Sequence, residues 1–400
     1  MEELLNTPLS YAGLTVPNRV VIQPMEGCDC ETDGTPGTLT LEKYCNNARS
    51  GAGMLWFEAT AVCPEGRTNP RQMMLTEENA PAFRRMLDMV RRTARKTTGV
   101  TPVLIAQLTH SGRQSIRPMI AYRNAVYEVV RPLTDDHIVT DEYLETLPER
   151  FLHTAELARE VGFDGVDIKS CHGYLLQEML SAFNRPGKYG GSFENRTRLY
   201  LDCIRRVRER MPDYPVVTRL SVVDMIPKPW GFGNTEKGEM DLDEPLRLIG
   251  LLRDAGVGMV NVTLGNPYYN PHVNRPFRRG AYLPPESPET GLARFTEVEK
   301  TIKTHYPDLL VVGSGLSFYR EELFRHAEKL LEEGVCDLVG FGRLSLAYPT
   351  FYADYLRGAF DPKKCCVACS KCTELMRHGQ VAGCAVFGSY YKNLYKETMK

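Results

Sequence analysis

The sequence predicts a (β/α)8 barrel, the TIM barrel, followed by a short cysteine-rich segment. Three observations support this fold class. Eight short apolar runs lie between residues 19 and 345, amphipathic stretches separate them, and five of the twelve cysteines lie between residues 365 and 384. Eight such units suit a barrel with inserted loops better than an open doubly wound sheet.

The eight apolar runs are the predicted strands. None of them alternates strictly between apolar and polar residues, which is the pattern of parallel strands that helices cover on both faces. In chain order the runs are 19–25, 53–59, 102–108, 165–170, 215–220, 258–263, 309–313 and 336–341.

The stretches between the runs are predicted helices. Residues such as Leu323 and Ala327 show the spacing of one buried helix face. Gly162, Gly256 and Gly334 each follow such a stretch at a position typical of a helix C-cap. The alternation of strand and helix therefore continues through the whole barrel region.

Two insertions, residues 113–140 and 264–290, follow the third and sixth runs. In a barrel both belong to the carboxyl face, where loops build active sites. The second insertion contains His272, Arg275 and Arg278, which either bind an acidic group or belong to a solvated loop.

The composition excludes several classes of protein. The chain has 400 residues, 42% hydrophobic and 25% charged, which is ordinary for a globular protein. Its net charge of -1 gives no field that would gather nucleic acid or an anionic membrane. It also lacks a signal peptide pattern and a run of about 18 apolar residues. We therefore expect a cytoplasmic protein whose charged ligands bind in a local pocket.

The clustered cysteines predict a metal centre, because the cytosol keeps thiols reduced and disfavours a disulfide framework. Cys366, Cys369, Cys372 and Cys384 form the pattern C-x2-C-x2-C-x11-C. This spacing favours an iron–sulfur cluster. Four thiolates also suit zinc, which stays open as an alternative, and Cys365 is the spare cysteine.

A dense polar patch, CHGYLLQEMLSAFNRPGKYGGSFENR, directly follows the fourth predicted strand. His172 and Tyr174 lie two residues apart at the carboxyl end of this strand and offer a donor and an acid. Lys169 lies in the strand itself. A half-buried structural histidine is the alternative, but three such residues at this end of a barrel strand favour an active site.

Glycine turns follow the seventh and eighth runs, in GSGLSF and GFGR. Their backbone N–H groups and an arginine would form a phosphate cradle at the place where barrels commonly bind one, although plain turns are the alternative. The pattern lacks the third glycine of a dinucleotide fingerprint. The predicted phosphate-binding residues are Gly313, Ser314, Gly315, Gly342 and Arg343.

Two further motifs, QLTHSGR and TRLS, place Gln107 and Arg219 at the ends of the third and fifth predicted strands. A buried arginine in a barrel mouth needs an anionic or electron-rich partner, because an unpaired buried charge is strongly destabilising. A flavin ring would supply such a partner, whereas an ion pair within the protein is the simpler alternative for either residue alone.

Together these motifs resemble the old yellow enzyme family of FMN-dependent oxidoreductases, from about residue 5 to residue 350. Further markers are PLSYAGLTVPNRVVIQPM, GAGMLWFEATAV and GFGRLSLAYP. The cysteines narrow the resemblance to the branch of 2,4-dienoyl-CoA reductase and trimethylamine dehydrogenase, in which a 4Fe-4S cluster follows the barrel. The resemblance implies an FMN-binding barrel over residues 1–360 and an iron–sulfur segment over 361–400.

The resemblance also implies roles for single residues. Gln107 would bind the pyrimidine edge of FMN, Arg219 would lie near the flavin N1 and O2 atoms, and Ala59 would add a backbone contact. The glycine turns with Arg343 would hold the phosphate. Tyr174 matches the tyrosine that protonates the α-carbon of an activated alkene when hydride reaches the β-carbon.

Two positions depart from the family pattern. Lys169 stands where relatives have a histidine that binds substrate together with the residue at His172, and an ammonium favours acidic or strongly polarised substrates. Glu26 follows Pro24 and Met25, where relatives often place Thr or Cys beside the flavin. A carboxylate there either disfavours the anionic reduced flavin or is itself protonated.

The branch that the chain resembles continues for several hundred residues with an FAD and NAD(P)-binding module, whereas this chain ends at Lys400. We therefore expect a separate electron-donor protein, such as a ferredoxin, flavodoxin or flavin reductase, with NAD(P)H as an indirect donor. No nucleic-acid or membrane partner is expected. The exact substrate and the oligomeric state stay open.

The predicted function is an ene-reductase that transfers hydride to an α,β-unsaturated carbonyl or carboxylate compound, with electrons relayed through the cluster. One alternative is an amine dehydrogenase or N-demethylase, in which Trp230, Tyr268 and Tyr269 would form a cation–π cage. Lys169 argues against this alternative because it would repel a cationic substrate. Another alternative is an electron-relay subunit of a larger complex.

Overall fold

The computed structural model describes residues 3–278, 280 and 282–400. Eight parallel strands close into a barrel, in which the last strand pairs with the first, so the predicted (β/α)8 barrel is confirmed. An antiparallel hairpin of β1 (Leu9–Tyr11) and β2 (Leu14–Val16) precedes it. The barrel strands are β3 (Val20–Ile22), β4 (Met54–Ala61), β5 (Val103–Thr109), β6 (Gly165–Ile168), β7 (Val216–Ser221), β8 (Val257–Thr263), β9 (Leu310–Gly313) and β10 (Leu338–Phe341).

Helices alternate with these strands and cover the outside of the barrel. Gly162 ends α4 in the left-handed conformation with φ 105°, as its predicted C-cap role requires. Among the described residues, the helices include none that is both long and apolar enough to cross a membrane. The helices are α1 (Thr38–Ala48), α2 (Ala80–Thr98), α3 (Ala125–Glu128), α4 (Asp141–Val161), α5 (Leu175–Leu180), α6 (Phe193–Arg210), α7 (Asp243–Asp254), α8 (Pro271–Asn274), α9 (Pro288–His305), α10 (Leu323–Glu332), α11 (Arg343–Ala347), α12 (Phe351–Leu356), α13 (Lys371–Arg377) and α14 (Ser389–Thr398).

The N-terminal hairpin, which the sequence did not predict, covers one end of the barrel. Leu9, Tyr11 and Leu14 pack against the apolar side chains of the barrel interior, and the Tyr11 hydroxyl donates to the Val216 carbonyl at 3.2 Å. Strands of three residues with mixed polarity are too short for a periodicity to identify them. Ligands therefore enter the barrel from its carboxyl end.

The first predicted strand extends beyond the observed one. β3 ends at Ile22 because its ladder with β10 stops there, and Pro24 has no N–H to continue a ladder. The segment that follows, Gln23 to Glu26, therefore lies at the carboxyl mouth of the barrel rather than within the sheet. This position brings Glu26 to the candidate site described below.

The C-terminal segment returns to the carboxyl face of the barrel. The Ala382 N–H donates to the Gly27 carbonyl at 2.7 Å, and the Arg377 guanidinium donates to the Pro267 carbonyl at 2.7 Å. Arg275 also hydrogen-bonds to Thr373. These contacts attach the cysteine-rich segment to the loops after β3 and β8.

The helical layer that packs on the barrel gives a direct test of the fold. Leu199 in α6 is fully buried, whereas Leu356 in α12 is 47% exposed. We expect Leu199→Ala to lower the free energy of unfolding by about 2–5 kcal/mol, because it leaves a cavity in the core. Leu356→Ala is the matched control and should lower it by less than about 1 kcal/mol. Urea unfolding measures both values, and equal losses would contradict this packing.

Candidate active site

A cavity opens at the carboxyl ends of the barrel strands. Its wall contains all three predicted catalytic residues, Lys169, His172 and Tyr174. The predicted cofactor-binding residues in the wall are Pro24, Met25, Glu26, Ala59, Gln107, Arg219, Ser314, Gly315, Gly342 and Arg343. The barrel thus brings together residues that lie more than 300 positions apart in the chain.

Among the described residues that were predicted to bind the cofactor, Gly313 is the one that does not line the cavity. It ends β9, and a Cβ built on it would lie 3.0 Å from the Cys336 sulfur and 3.1 Å from Glu299. Its lack of a side chain therefore serves packing behind the turn, while Ser314 and Gly315 face the cavity.

Several wall residues were not predicted as site residues. Gln23, in the middle of the first predicted run, donates to the Ser314 hydroxyl at 3.1 Å and accepts from Asn261 at 2.7 Å. A polar residue within an apolar run was the available signal. The remaining unpredicted residues of the wall are Thr263, Pro267, Asn274, Pro276, Ser317, Gly340, Leu346, Thr373, Met376, Arg377 and Ala382.

Asp167 in β6 organises the floor of the cavity, and sequence reasoning missed it. Its Oδ2 atom accepts from Gln107 Nε2 at 2.7 Å and from Trp56 Nε1 at 2.8 Å, and its Oδ1 atom accepts from the Arg219 N–H at 2.8 Å. Burial raises the pKa of Asp167 to about 6. The pairing of Ala59 with Gln107, and of Gln107 with Asp167, places these residues at one level of the barrel.

Arg219 lies over this floor without a carboxylate partner among the described residues. Its NH1 atom is 3.5 Å from the Pro24 carbonyl, and its buried Nε atom has no hydrogen-bond partner in the described part of the chain. Burial lowers the pKa of Arg219. A buried guanidinium without a carboxylate partner would be stabilised by an electron-rich ligand in the cavity.

His172 follows β6 in the left-handed conformation, with φ 66°. Its buried Nε2 atom has no partner within the described residues. Burial, with the nearby cations Arg219 and Lys169, lowers the pKa of His172 well below its usual value. His172 is therefore a neutral imidazole that faces the cavity.

Tyr174 lies beside Lys169, whose Nζ atom is 3.7 Å from the centre of the tyrosine ring. The Tyr174 hydroxyl donates to Glu26 Oε2 at 3.3 Å and lies 3.5 Å from the Tyr268 hydroxyl. Burial raises the pKa of Tyr174 well above its usual value. Burial also lowers the pKa of Lys169. Tyr174 is therefore protonated at neutral pH and has a proton to give.

Residues of the predicted phosphate cradle also line the cavity, and Arg343 has a buried NH1 atom without a partner in the described residues. Gly315 has a left-handed φ of 87°. The Ser314 N–H, however, already donates to Glu299 Oε1 at 2.9 Å. Burial raises the pKa of Glu299 to about 8. This cradle therefore uses fewer free N–H groups than the glycine pattern predicted.

The four predicted metal-ligating cysteines, Cys366, Cys369, Cys372 and Cys384, line a second, smaller cavity, and Cys372 lines both cavities. Backbone N–H groups donate to the sulfur atoms of Cys366 and Cys384. The spare Cys365 does not line either cavity in the described structure.

The backbone between these cysteines is strained. Ala368 and Ser370 have φ angles of 53° and 63°, which non-glycine residues rarely adopt. Such conformations persist where the surroundings or a ligand require them. In the described part of the chain, no three His, Cys, Asp or Glu side chains are close enough together to bind one metal ion.

The aromatic residues of the predicted cation–π cage lie apart. Tyr268 lines the cavity, but Tyr269 is 42% exposed and packs against Tyr127 at 6.1 Å between ring centres. Trp230 stacks on Tyr122 at 6.4 Å. This separation gives no support to a binding site for methylated amines.

The second insertion contributes unequally to the site. Arg275 lines the cavity. His272 instead bonds to the Tyr282 hydroxyl at 2.7 Å, and Arg278 pairs with Glu289 at the surface. Of these three residues, Arg275 is therefore the one placed to meet an acidic ligand.

The fold and cavity define a parallel α/β barrel with a ligand site built on the carboxyl ends of its strands. The chain belongs to the NADH:flavin oxidoreductase / NADH oxidase family, which matches residues 5–250. The resemblance to the old yellow enzyme family is thereby confirmed.

Two curated relatives illustrate this family. The chain is 28% identical over 370 residues to an NADH oxidase of Thermoanaerobacter brockii, a match covering 89% of this chain and 51% of that protein. It is 26% identical over 407 residues to a cinnamate reductase of Clostridium sporogenes, covering 96% of this chain and 57% of that protein. The chain thus spans about half the length of these relatives.

A solved structure of 2-naphthoyl-CoA reductase shares the fold. It superposes with a TM-score of 0.80 at 20% identity, and the match covers 99% of this chain and 58% of that one. The similarity includes the C-terminal cysteine-rich segment because nearly the whole chain is covered.

The neutral state of His172 gives a prediction for the site. We expect its ring resonances to stay unshifted between about pH 5.5 and 8, because burial and two neighbouring cations oppose protonation. Histidine-selective NMR measures this, with His172→Gln to assign the signal and free histidine in the same tube as the control. A titration midpoint of the His172 resonances at about pH 6.5 would show that the imidazole protonates normally.

Proposed function

We propose that this protein is an FMN-dependent ene-reductase that reduces the C=C bond of an α,β-unsaturated carbonyl or carboxylate compound. The observation that carries the proposal is the buried, protonated Tyr174, which lies beside Lys169 in a cavity that also contains a neutral His172. Family membership and the similarity to a cinnamate reductase support it.

The residues around the cavity fit FMN. Arg219 and Arg343 both line the cavity, and each has a buried nitrogen without a partner in the described residues. Gln107, held by Asp167, is positioned for the pyrimidine edge. A Cβ on Gly342 would lie 3.0 Å from the Met25 sulfur, so a side chain there would crowd the wall. FMN, when bound, supplies the hydride for the β-carbon.

The protein residues supply binding and the proton. Lys169 and His172 donate hydrogen bonds to the carbonyl or carboxylate oxygen of the substrate, which draws electrons away from the C=C bond. Tyr174 then protonates the α-carbon. Lys169 and Arg275 add positive charge to the cavity, and this favours an acidic substrate over a cationic one.

The compact C-x2-C-x2-C-x11-C spacing supports a 4Fe-4S cluster over a single zinc ion. Four thiolates would also satisfy zinc, and all four cysteines line one small cavity in the described structure. Backbone N–H donors to Cys366 and Cys384 are the kind of contacts that tune cluster potentials. Cys372, which lines both cavities, connects the cluster site to the flavin site.

A separate electron carrier is the proposed source of electrons for the cluster, with NAD(P)H as an indirect donor. Residues 361–400 contain seven Lys and Arg against three Asp and Glu, in a chain whose total charge is -1. Exposed Val367 and Phe387 line the cysteine cavity. A basic surface with apolar residues suits a small acidic carrier such as a ferredoxin or flavodoxin. Sustained turnover with NADH or NADPH as sole reductant would contradict this role.

Anaerobic flavin absorbance tests the proposed reaction. The purified protein is reduced with dithionite and mixed with enones, enoates and enoyl thioesters, and we expect one of them to reoxidise the flavin band. Tyr174→Phe should slow this reoxidation by about 10²–10⁴-fold, because the proton donor is lost, without slowing flavin reduction.

Tyr214→Phe is the matched control for that experiment. Its hydroxyl is also buried and donates to the Phe163 carbonyl at 3.0 Å, but the residue precedes β7 at the opposite end of the barrel. The control should reoxidise at the wild-type rate. A Tyr174→Phe protein that does the same would refute the proton-donor role.

Reduction of the oxidised protein by methylated amines would favour the amine dehydrogenase. Electron transfer from the reduced protein only to a protein partner would favour the relay subunit.

Metal analysis tests the cluster. We expect about four iron atoms per chain after anaerobic purification, and loss of this iron in Cys369→Ser because a ligand is removed. Cys365→Ser is the matched control and should retain the iron, since this neighbouring thiol lies outside the cavity. One zinc per chain, or equal loss of iron in both variants, would contradict the assignment.

A further inference from the structure

Glu26 is a carboxyl group in the wall of the cavity that the proposed reaction does not yet use. Its Oε2 atom accepts from the Tyr174 hydroxyl at 3.3 Å, and its Oε1 atom accepts from Asn69 Nδ2 at 3.2 Å. The next residue, Gly27, donates its N–H to Glu58 Oε2 at 2.7 Å. These contacts hold the carboxyl group against the predicted proton donor.

The surroundings of Glu26 come from several elements. The titratable groups that face it are Cys28, Lys43, Glu58, Lys169, Tyr174 and Tyr268. Burial and the Glu58 carboxylate disfavour its charged form, whereas Lys169, Lys43 and the Tyr174 hydroxyl favour it. Burial has the largest effect and raises the pKa of Glu26 to about 7.

The position of Lys169 separates two interpretations of this carboxyl group. A permanent ion pair with Lys169 would keep Glu26 charged, but the ion pairs of the described residues do not include this one within 4.0 Å. The Lys169 ammonium instead lies over the Tyr174 ring. A neutral carboxylic acid can donate to the Tyr174 oxygen, which turns the tyrosine proton toward the substrate.

We propose that Glu26 is the proton source that restores Tyr174 in the same step as each reduction, an inference that rests on the ene-reductase function proposed above. The Tyr174 O–H bond breaks as the new C–H bond forms at the α-carbon, and in the same step the tyrosine oxygen takes the Glu26 proton. The Glu26 carboxylate regains a proton from water that enters the cavity. Neither residue changes oxidation state.

The relay predicts a specific pH dependence. It requires protonated Glu26, so the rate of flavin reoxidation by the alkene falls as the pH rises through about 7. Glu26→Gln should lower this rate at least about tenfold at low pH and remove the inflection, because an amide cannot give a proton. Glu26→Asp keeps a carboxyl group and should restore part of the rate together with an inflection.

The experiment uses the dithionite-reduced holoenzyme in a stopped-flow instrument, with cinnamate and cyclohex-2-enone as the probes. Rates are measured across pH in water and in mixtures with D2O. Two protons in flight give the wild type a curved dependence on the deuterium fraction, and Glu26→Gln should make it linear. A purely structural effect of the substitution would lower the rate without changing this shape.

Asp224→Asn is the matched control. Asp224 is also buried, and burial raises its pKa to about 7, but it bonds to Gln177 and the Phe232 N–H outside the cavity wall. This variant should keep the wild-type pH profile. Bound flavin absorbance and thermal melting show that each variant is folded and loaded.

The outcomes separate the two proposals. If neither these probes nor the enoyl thioesters of the panel reoxidise the wild-type flavin, the ene-reductase function fails, and the relay fails with it. If the wild type is active and Glu26→Gln keeps both its pH profile and its D2O dependence, the relay alone is refuted. Equal losses in Glu26→Gln and Glu26→Asp would also refute it, because the proton would then be irrelevant.

Discussion

The buried carboxylate of Asp167 is the interaction on which the site depends. Seven of the eight barrel strands contribute apolar side chains to the barrel interior, whereas β6 places Asp167 there. Asp167 bonds at once to Trp56 of that interior, to Gln107 of the cavity and to the Arg219 backbone. A buried carboxylate is destabilised if it loses its hydrogen-bond donors. Asp167 therefore links the orientation of Gln107 and Arg219 in the site to the packing of Trp56 in the barrel interior.

The cavity combines cations with one carboxyl group of adjustable charge. Lys169, Arg219 and Arg343 lie in its wall, and their positive charge favours anionic ligands. Glu26 opposes them, and its state depends on how burial and the Glu58 carboxylate balance against Lys169 and Lys43. Lys169, which favours an acidic compound in the cavity, therefore also favours the charged form of this carboxyl group.

Tertiary contacts also join the two predicted centres. Cys372 lines both the large cavity and the cysteine cavity, and the segment that carries it is attached to the barrel through Ala382 and Arg377. The barrel mouth and the C-terminal segment therefore act as one structural unit, even though the sequence places the cysteines after the last strand.

The sequence by itself determined the barrel, the end of the barrel at which the site lies, and the cysteine pattern. Apolar runs, strand-end motifs and C-x2-C spacing are local properties of the chain, which is why the sequence reveals them. It did not predict the N-terminal hairpin, whose strands are too short for a periodicity. Only the tertiary structure decided which side chains meet: Asp167 beside Gln107, Glu26 against Tyr174, and Trp230 away from Tyr268. These encounters join residues far apart in the chain, and barrel closure and loop packing, rather than any local pattern, set their distances.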